Sequence, residues 1–222
     1  MSAVRDLPPE TCAWIESVIA ELEEAEITVQ LVNATQADCH GSPVGGYFDE
    51  DQGEFVVATG GDTAIWLSVF LHEYMHFRQS QAATAAWTAK LSGTACPQQA
   101  FDAWLAGVVE MTPDQLRAAV GLVLAMEREC ETMALDTLSR TPELPLERWW
   151  YTRAANVYLG LYGVVMRTRR WYERSPYSSA EPLTHVPGDR LLSVDEAMRP
   201  SPAFAGAITR ACYLPAGLRV VG

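Results

Sequence analysis

The run His72-Glu73-Tyr74-Met75-His76 puts two imidazoles and a carboxylate inside Thr63–Gln79, a stretch that also carries Ile65, Trp66, Leu67, Val69, Phe70 and Leu71. The stretch predicts a helix close to the core. An α-helix advances 3.6 residues per turn, so His72 and His76 share one face, one turn apart. A buried and unpaired His–Glu–His cluster is costly, so any fold that encloses this helix must compensate it. A divalent cation does so, because it takes up the imidazole lone pairs and the carboxylate charge together. Both rings can reach one zinc ion at about 2.0–2.1 Å. Glu73 directly follows the first His, where it can serve as a base on a water that the metal activates. The chain has four His, and two of them stand at this spacing.

The remaining pattern predicts an α+β fold, mostly helical, with a small three-stranded antiparallel sheet packed on the HExxH helix and on further long helices. Pro9–Ala25 opens as a helix, with Trp14, Ile15, Val18, Ile19 and Leu22 at helical spacing. Ile27–Val32, Gly45–Phe48 and Glu54–Thr59 predict three short strands in a meander, with Asp49–Gly53 as a polar turn. Asp62 or Thr63 caps the HExxH helix, which is expected to continue to about Leu91. Gln98–Glu110 predicts a shorter helix. Thr112-Pro113-Asp114-Gln115 carries a strong start signal for one running to about Ser139. Leu146–Glu173 predicts the last long helix, and Arg167, Arg169, Arg170 and Arg174 read as its cationic last turn. Ser193–Met198 and Ser201–Tyr213 predict short helices, with Ser193 and Glu196 as a capping box. Length favours one domain over residues 1–222, with a core at about 9–173 and an irregular, proline-rich 174–222 that wraps the core or forms a lid.

A metal bound by two imidazoles needs a third protein ligand, with a further position left for water. His40 and His185 fall in predicted loops. Glu127 and Glu131, in Met126-Glu127-Arg128-Glu129-Cys130-Glu131, stand at i and i+4 on a helix that is apolar on both sides. One of the two can bind the metal while the other accepts a hydrogen bond from a ligand His and fixes its tautomer.

With these residues the chain resembles the zincin superfamily of metallopeptidases and, within it, the gluzincin branch, which pairs HExxH with a Glu from a later helix. Val69, three before the first His, and the uncharged Tyr74 and Met75 fit the extended signature; Arg78, two after the second His, departs from its hydrophobic preference. In several gluzincin groups the ligand Glu is followed by a small residue at i+3 and an acid at i+4, which Glu127, Cys130 and Glu131 match. A rival register takes Glu131 as ligand with Ala134 at i+3, but Leu135 then breaks the acidic position. The order of elements over about Ile27–Leu138 is similar to the compact minigluzincin core. More loosely, HExxHFxQ, the Cys130-Glu131 pair and Ala155-Asn156-Val157-Tyr158 resemble HExxH proteins of this size from phage and bacteria, a likeness that implies no activity.

The gluzincin resemblance implies a zinc-dependent peptidase. His72, His76 and Glu127 would hold Zn2+, Glu131 would support a ligand His, and Glu73 would act as the base. An oxyanion stabiliser is expected from a later segment; Tyr158 is the first candidate, with Tyr162, Tyr177 and His185 as others. In such folds the strand before the metal helix often lines the cleft, so Glu54–Thr59 is expected to offer an edge to an extended peptide. The alternative is a zincin-fold regulatory, binding or phage structural protein that retains the metal site without general protease activity. The intact Glu73 argues against a purely structural zinc site, which needs no base.

Composition narrows the partners. Sixteen basic against 28 acidic residues give a net charge of −12, which argues against nucleic acid and anionic membranes; a peptide or protein substrate is what the gluzincin resemblance implies. Arg outnumbers Lys fifteen to one, a bias associated with GC-rich bacterial or phage genomes. Five cysteines without a CxxC pair fit thiols in a reducing cytoplasm. No apolar h-region stands within Met1–Pro8, so no signal peptide is expected, and no run is long enough to span a membrane.

Overall fold

The computed structural model describes residues 7–39, 41–91, 96–177 and 179–213. The fold is α+β and mostly helical, and the chain forms two compact units, each assembled from two segments: Met1–Ala83 with Cys130–Tyr151, and Thr84–Glu129 with Thr152–Gly222.

In the first unit, α1 (Pro9–Glu24) buries Thr11, Ile15, Val18 and Leu22, one stripe at helical spacing. Trp14 meets Phe70 and Tyr74 edge-on with ring centroids 5.8 and 6.2 Å away, and so joins α1 to α2 (Thr63–Gln81). Asp62 caps α2 by accepting from the Ala64 and Ile65 amides. From Trp66 to Phe77 every residue of α2 except Val69 is buried, the pattern of a helix enclosed on all sides. The helix ends at Gln81 rather than near Leu91: Ala82 forms the C-cap and Ala83 turns left-handed at φ 45°.

The sheet differs from an antiparallel meander. Its order is β1 (Thr28–Val32), β5 (Glu54–Ala58), β4 (Gly46–Asp49); β5 runs parallel to β1 and antiparallel to β4. A two-stranded hairpin, β2 (Ala37–Cys39) with β3 (Ser42–Val44), precedes β4. The reason for the central place of β5 lies in its residues. Phe55-Val56-Val57-Ala58 is a continuous apolar run, and all four are buried, as suits a strand covered on both faces. The edge expected at Glu54–Thr59 is therefore absent, since neighbours pair both sides of β5. β4 and β5 pack on α2 through Phe48 on Phe77 and Phe55 on Phe70.

In the second unit, α3 spans Pro97–Leu105. α4 (Pro113–Arg140), which belongs to this unit as far as Glu129, starts on a reciprocal cap: Thr112 N–H donates to Gln115 Oε1, and Gln115 N–H to Thr112 Oγ1. α5 (Arg148–Thr168), in this unit from Thr152 onward, stops short of Glu173, because Arg169 takes φ 50°. Only Arg167 of the predicted basic turn belongs to the helix. Arg169 pairs with Glu110 and lies over the Trp104 ring, Arg170 pairs with Glu173 and lies over Tyr213, and Arg174 donates to backbone carbonyls.

Beyond α5 come a 3-10 turn (Pro182–His185), α6 (Val194–Met198) and α7 (Pro202–Cys212). α6 carries the expected capping box of Ser193 and Glu196. Phe204, Ile208, Ala211 and Cys212 join Val157, Leu161 and Val165 in one core. Asn156, fully buried, pins the connection by donating to the Pro187 and Arg190 carbonyls and accepting from the Leu192 amide. No helix among the described residues is long and apolar enough to cross a membrane.

Gly46 lets β4 approach α2. A Cβ there would stand 2.7 Å from the Val56 carbonyl oxygen and 2.8 Å from Val69 Cγ1. Gly46→Ala is expected to lower stability by about 1–3 kcal/mol. Urea unfolding should show this as an earlier midpoint at unchanged slope.

Candidate metal centre

α2 supplies both histidines from one buried face; His72 and His76 are 8% and 7% exposed. Their rings meet edge-on, with centroids 4.6 Å apart and planes at 88°, and their Nε2 atoms face each other at 3.1 Å. The other nitrogen of each ring is held by an oxygen. His72 Nδ1 lies 3.0 Å from Glu131 Oε1, and His76 Nδ1 lies 2.9 Å from Gln79 Oε1.

With Glu131 Oε1 and Gln79 Oε1 as acceptors, both Nδ1 atoms carry hydrogen. In the neutral rings, both Nε2 atoms then present lone pairs to the same point. Two lone pairs facing across 3.1 Å repel unless a proton or a metal ion lies between them. A tetrahedral zinc with Zn–N of about 2.0–2.1 Å sets its two nitrogens about 3.3–3.4 Å apart. The observed separation is within a few tenths of an ångström of that, so the pair fits such an ion.

Behind His72 the polar chain continues. Glu131, 3% exposed, uses Oε1 for His72 and accepts the Tyr151 phenol hydrogen at Oε2 over 2.8 Å. Both of its oxygens are thus engaged with donors. Glu73, 8% exposed, follows His72 on α2.

Cys130 brings its sulfur into the neighbourhood: His72, His76 and Cys130 place one ligand atom each within 4.8 Å of one another. The local geometry argues against the thiol as a ligand at the facing Nε2 atoms. Its Sγ lies 3.5 Å from His72 Nδ1, on the side of the ring that Glu131 holds, and 3.2 Å from the His72 carbonyl oxygen, to which the thiol donates. Cys130 therefore braces the His72 turn of α2.

In the second unit, Glu127 is 3% exposed and accepts from Tyr162 at Oε1 over 2.9 Å; Tyr158 reaches the same oxygen at 3.5 Å and stands 3.2 Å from the Tyr162 hydroxyl. Burial first, and the Glu127 charge second, push both phenols well above their ordinary pKa, so both remain hydrogen-bond donors. Tyr177 donates to the Ala154 carbonyl, and His185 is exposed on the 3-10 turn. His40 lies outside the described residues.

The departure at Arg78 has a structural reason. Its guanidinium and the Tyr74 hydroxyl grip the two oxygens of Glu21 on α1, each at 2.6 Å. Burial and then the Glu21 hydrogen bond raise the Tyr74 phenol to about 12. Residues within and just after the motif thus anchor the helix from its other face. Sequence reasoning missed Gln79 and Tyr151. Gln79 stands three residues after His76, a neighbour on one helix face, and that spacing is a usable signal. Tyr151 lies twenty residues from Glu131, and nothing local announces the contact.

No protein-family model, curated protein or solved structure matches the chain. The position of the Cys130 sulfur leads to a spectroscopic expectation. Protein loaded with cobalt(II) should show visible d–d bands without thiolate-to-cobalt charge transfer in the near ultraviolet, and Cys130→Ala should keep that spectrum. A charge-transfer band that Cys130→Ala abolishes would put sulfur on the metal.

Proposed function

We propose that the chain is a zinc-dependent metallopeptidase of zincin-like, gluzincin-like character. The observation that carries this is the pair of facing Nε2 atoms at 3.1 Å, each on a ring whose Nδ1 is committed to an oxygen. Nitrogen donors with a carboxylate suit zinc, which takes His, His and Glu in catalytic sites that keep a position open. His72 and His76 would hold the ion. Glu127 is the proposed third ligand on the gluzincin sequence pattern alone, with Cys130 at i+3 and Glu131 at i+4; Glu131 itself already spends both oxygens on His72 and Tyr151.

When bound, zinc supplies a Lewis acid that polarises a carbonyl and acidifies water. The protein's own groups do the rest. Glu73, next to the first His, takes a proton from the attacking water and delivers it to the leaving amine. Tyr158, a protonated donor, is the proposed partner of the developing oxyanion. Glu131 keeps the His72 proton on Nδ1 and so leaves Nε2 for the ion.

One observation favours the second reading, a regulatory or binding protein that retains the centre. β5 has both edges paired, so the strand before the metal helix offers no groove for an extended peptide. On that reading the metal stays and general proteolysis is absent.

The purified protein is expected to hold about one zinc per chain, as a single three-ligand site requires. Elemental analysis should find this in the wild type and not in a His72→Ala, His76→Ala variant; equal content in both would refute the site. Glu73→Gln should retain zinc and lose about 10²–10⁴-fold in any hydrolysis of a mixed peptide library read by mass spectrometry. Undiminished cleavage by that variant would remove Glu73 from the base role. Zinc affinity should fall about 10–100-fold in Glu131→Ala and further in Glu127→Ala. The reverse order would make Glu131 the ligand.

A further inference from the structure

Tyr151 is 2% exposed, and its hydroxyl bonds to Glu131 Oε2 at 2.8 Å while His72 Nδ1 bonds to Oε1 at 3.0 Å. Burial, with the Glu131 charge next, pushes the phenol well above its ordinary pKa, so Tyr151 remains a donor. Two donors thus grip one carboxylate, and turning it about its last torsion would break both bonds together. His76 has a different backing: its Nδ1 meets the neutral amide of Gln79, three residues on in the same helix.

We propose that Tyr151 is a positioning residue of the metal centre. Acting through Glu131, it fixes His72 as the Nδ1–H tautomer with Nε2 turned to the ion. The inference rests on the metal-site reading above and adds a residue that acts through another.

A signed consequence separates this role from simple packing. In Glu131→Gln the buried phenol still needs an acceptor, and it takes the amide oxygen. The amide NH2 then faces His72 Nδ1, which has to accept, so the imidazole hydrogen moves to Nε2 and blocks the metal position. Removing the phenol as well lets the amide turn its oxygen toward His72. Tyr151→Phe is therefore expected to weaken zinc binding in the wild-type background and to strengthen it in the Glu131→Gln background.

The test uses the full chain: wild type, Tyr151→Phe, Glu131→Gln, the double variant, and Tyr47→Phe. Tyr47 serves as the control because its hydroxyl also donates to a carboxylate, Glu54, on the sheet. Zinc affinity is read by competition with a chromophoric chelator, and folding by near-ultraviolet circular dichroism. The expected losses are about 10-fold for Tyr151→Phe and about 100-fold for Glu131→Gln. The double variant should bind several-fold more tightly than Glu131→Gln, and Tyr47→Phe should match the wild type. Wild-type affinity in Tyr151→Phe, or losses that simply add in the double variant, would overturn the proposal. If the Phe variants do not fold, 15N NMR of the metal-free wild type and Glu131→Gln decides. A switch of His72 from Nδ1–H to Nε2–H supports the role, and retention of Nδ1–H overturns it. A wild type that takes up no zinc removes the metal centre itself, whereas a zinc-binding wild type with an indifferent Tyr151→Phe removes Tyr151 alone.

Discussion

Two imidazole nitrogens aimed at one point, 3.1 Å apart, with both far nitrogens tied to oxygens, set the terms for the first unit. The arrangement exists because α2 is enclosed. Trp66, Leu67, Phe70, Leu71, Met75 and Phe77 bury the helix against its neighbours, and the same burial denies the polar residues between them the solvent they would otherwise use. Each polar group must then find a partner inside. His72 finds Glu131, His76 finds Gln79, and Glu131 finds Tyr151. What remains is two Nε2 atoms facing each other at 3.1 Å, the pair on which the proposed cation site rests.

The anchoring of α2 explains how it tolerates this. Glu21 on α1 holds Tyr74 and Arg78, Trp14 packs on Phe70 and Tyr74, and Phe48 and Phe55 close the sheet side. The two histidines are thereby carried on a helix clamped along its other faces. Rigid backing of this kind holds the two imidazoles in place through packing and hydrogen bonds alone.

Much of this was legible in the sequence. The helical spacing of Ile15, Val18 and Leu22, the Asp62 cap, the Thr112–Gln115 start signal and the Ser193–Glu196 box are local rules, and the elements they mark form close to where they predict. The spacing of Glu127 and Glu131 marked one of them as a partner for a histidine; which carboxylate meets which ring depends on a contact between residues far apart in the chain. Other features depend on contacts far apart in the chain. The apolar run Phe55–Ala58 marks a buried strand, but its parallel partner β1 lies some 26 residues earlier and nothing local names it. The end of α2 falls in Ala82-Ala83, the best helix-forming residue type, so propensity points the wrong way and only the left-handed Ala83 marks the stop. Tyr151 reaches Glu131 across a helix boundary, and Cys130 resembled a small filler until its sulfur was placed against the His72 carbonyl.

The depth of the His72–Glu131 pair has a consequence for how the molecule meets its medium. Their side chains are 11% and 4% exposed, whereas the guanidinium–carboxylate pairs Arg190–Glu196 and Arg210–Glu181 lie largely open to solvent. Mobile ions weaken the open pairs and hardly penetrate to the enclosed one. Concentrated brine would therefore loosen the fastenings around the C-terminal helices while leaving the imidazole–carboxylate bond at nearly its full strength.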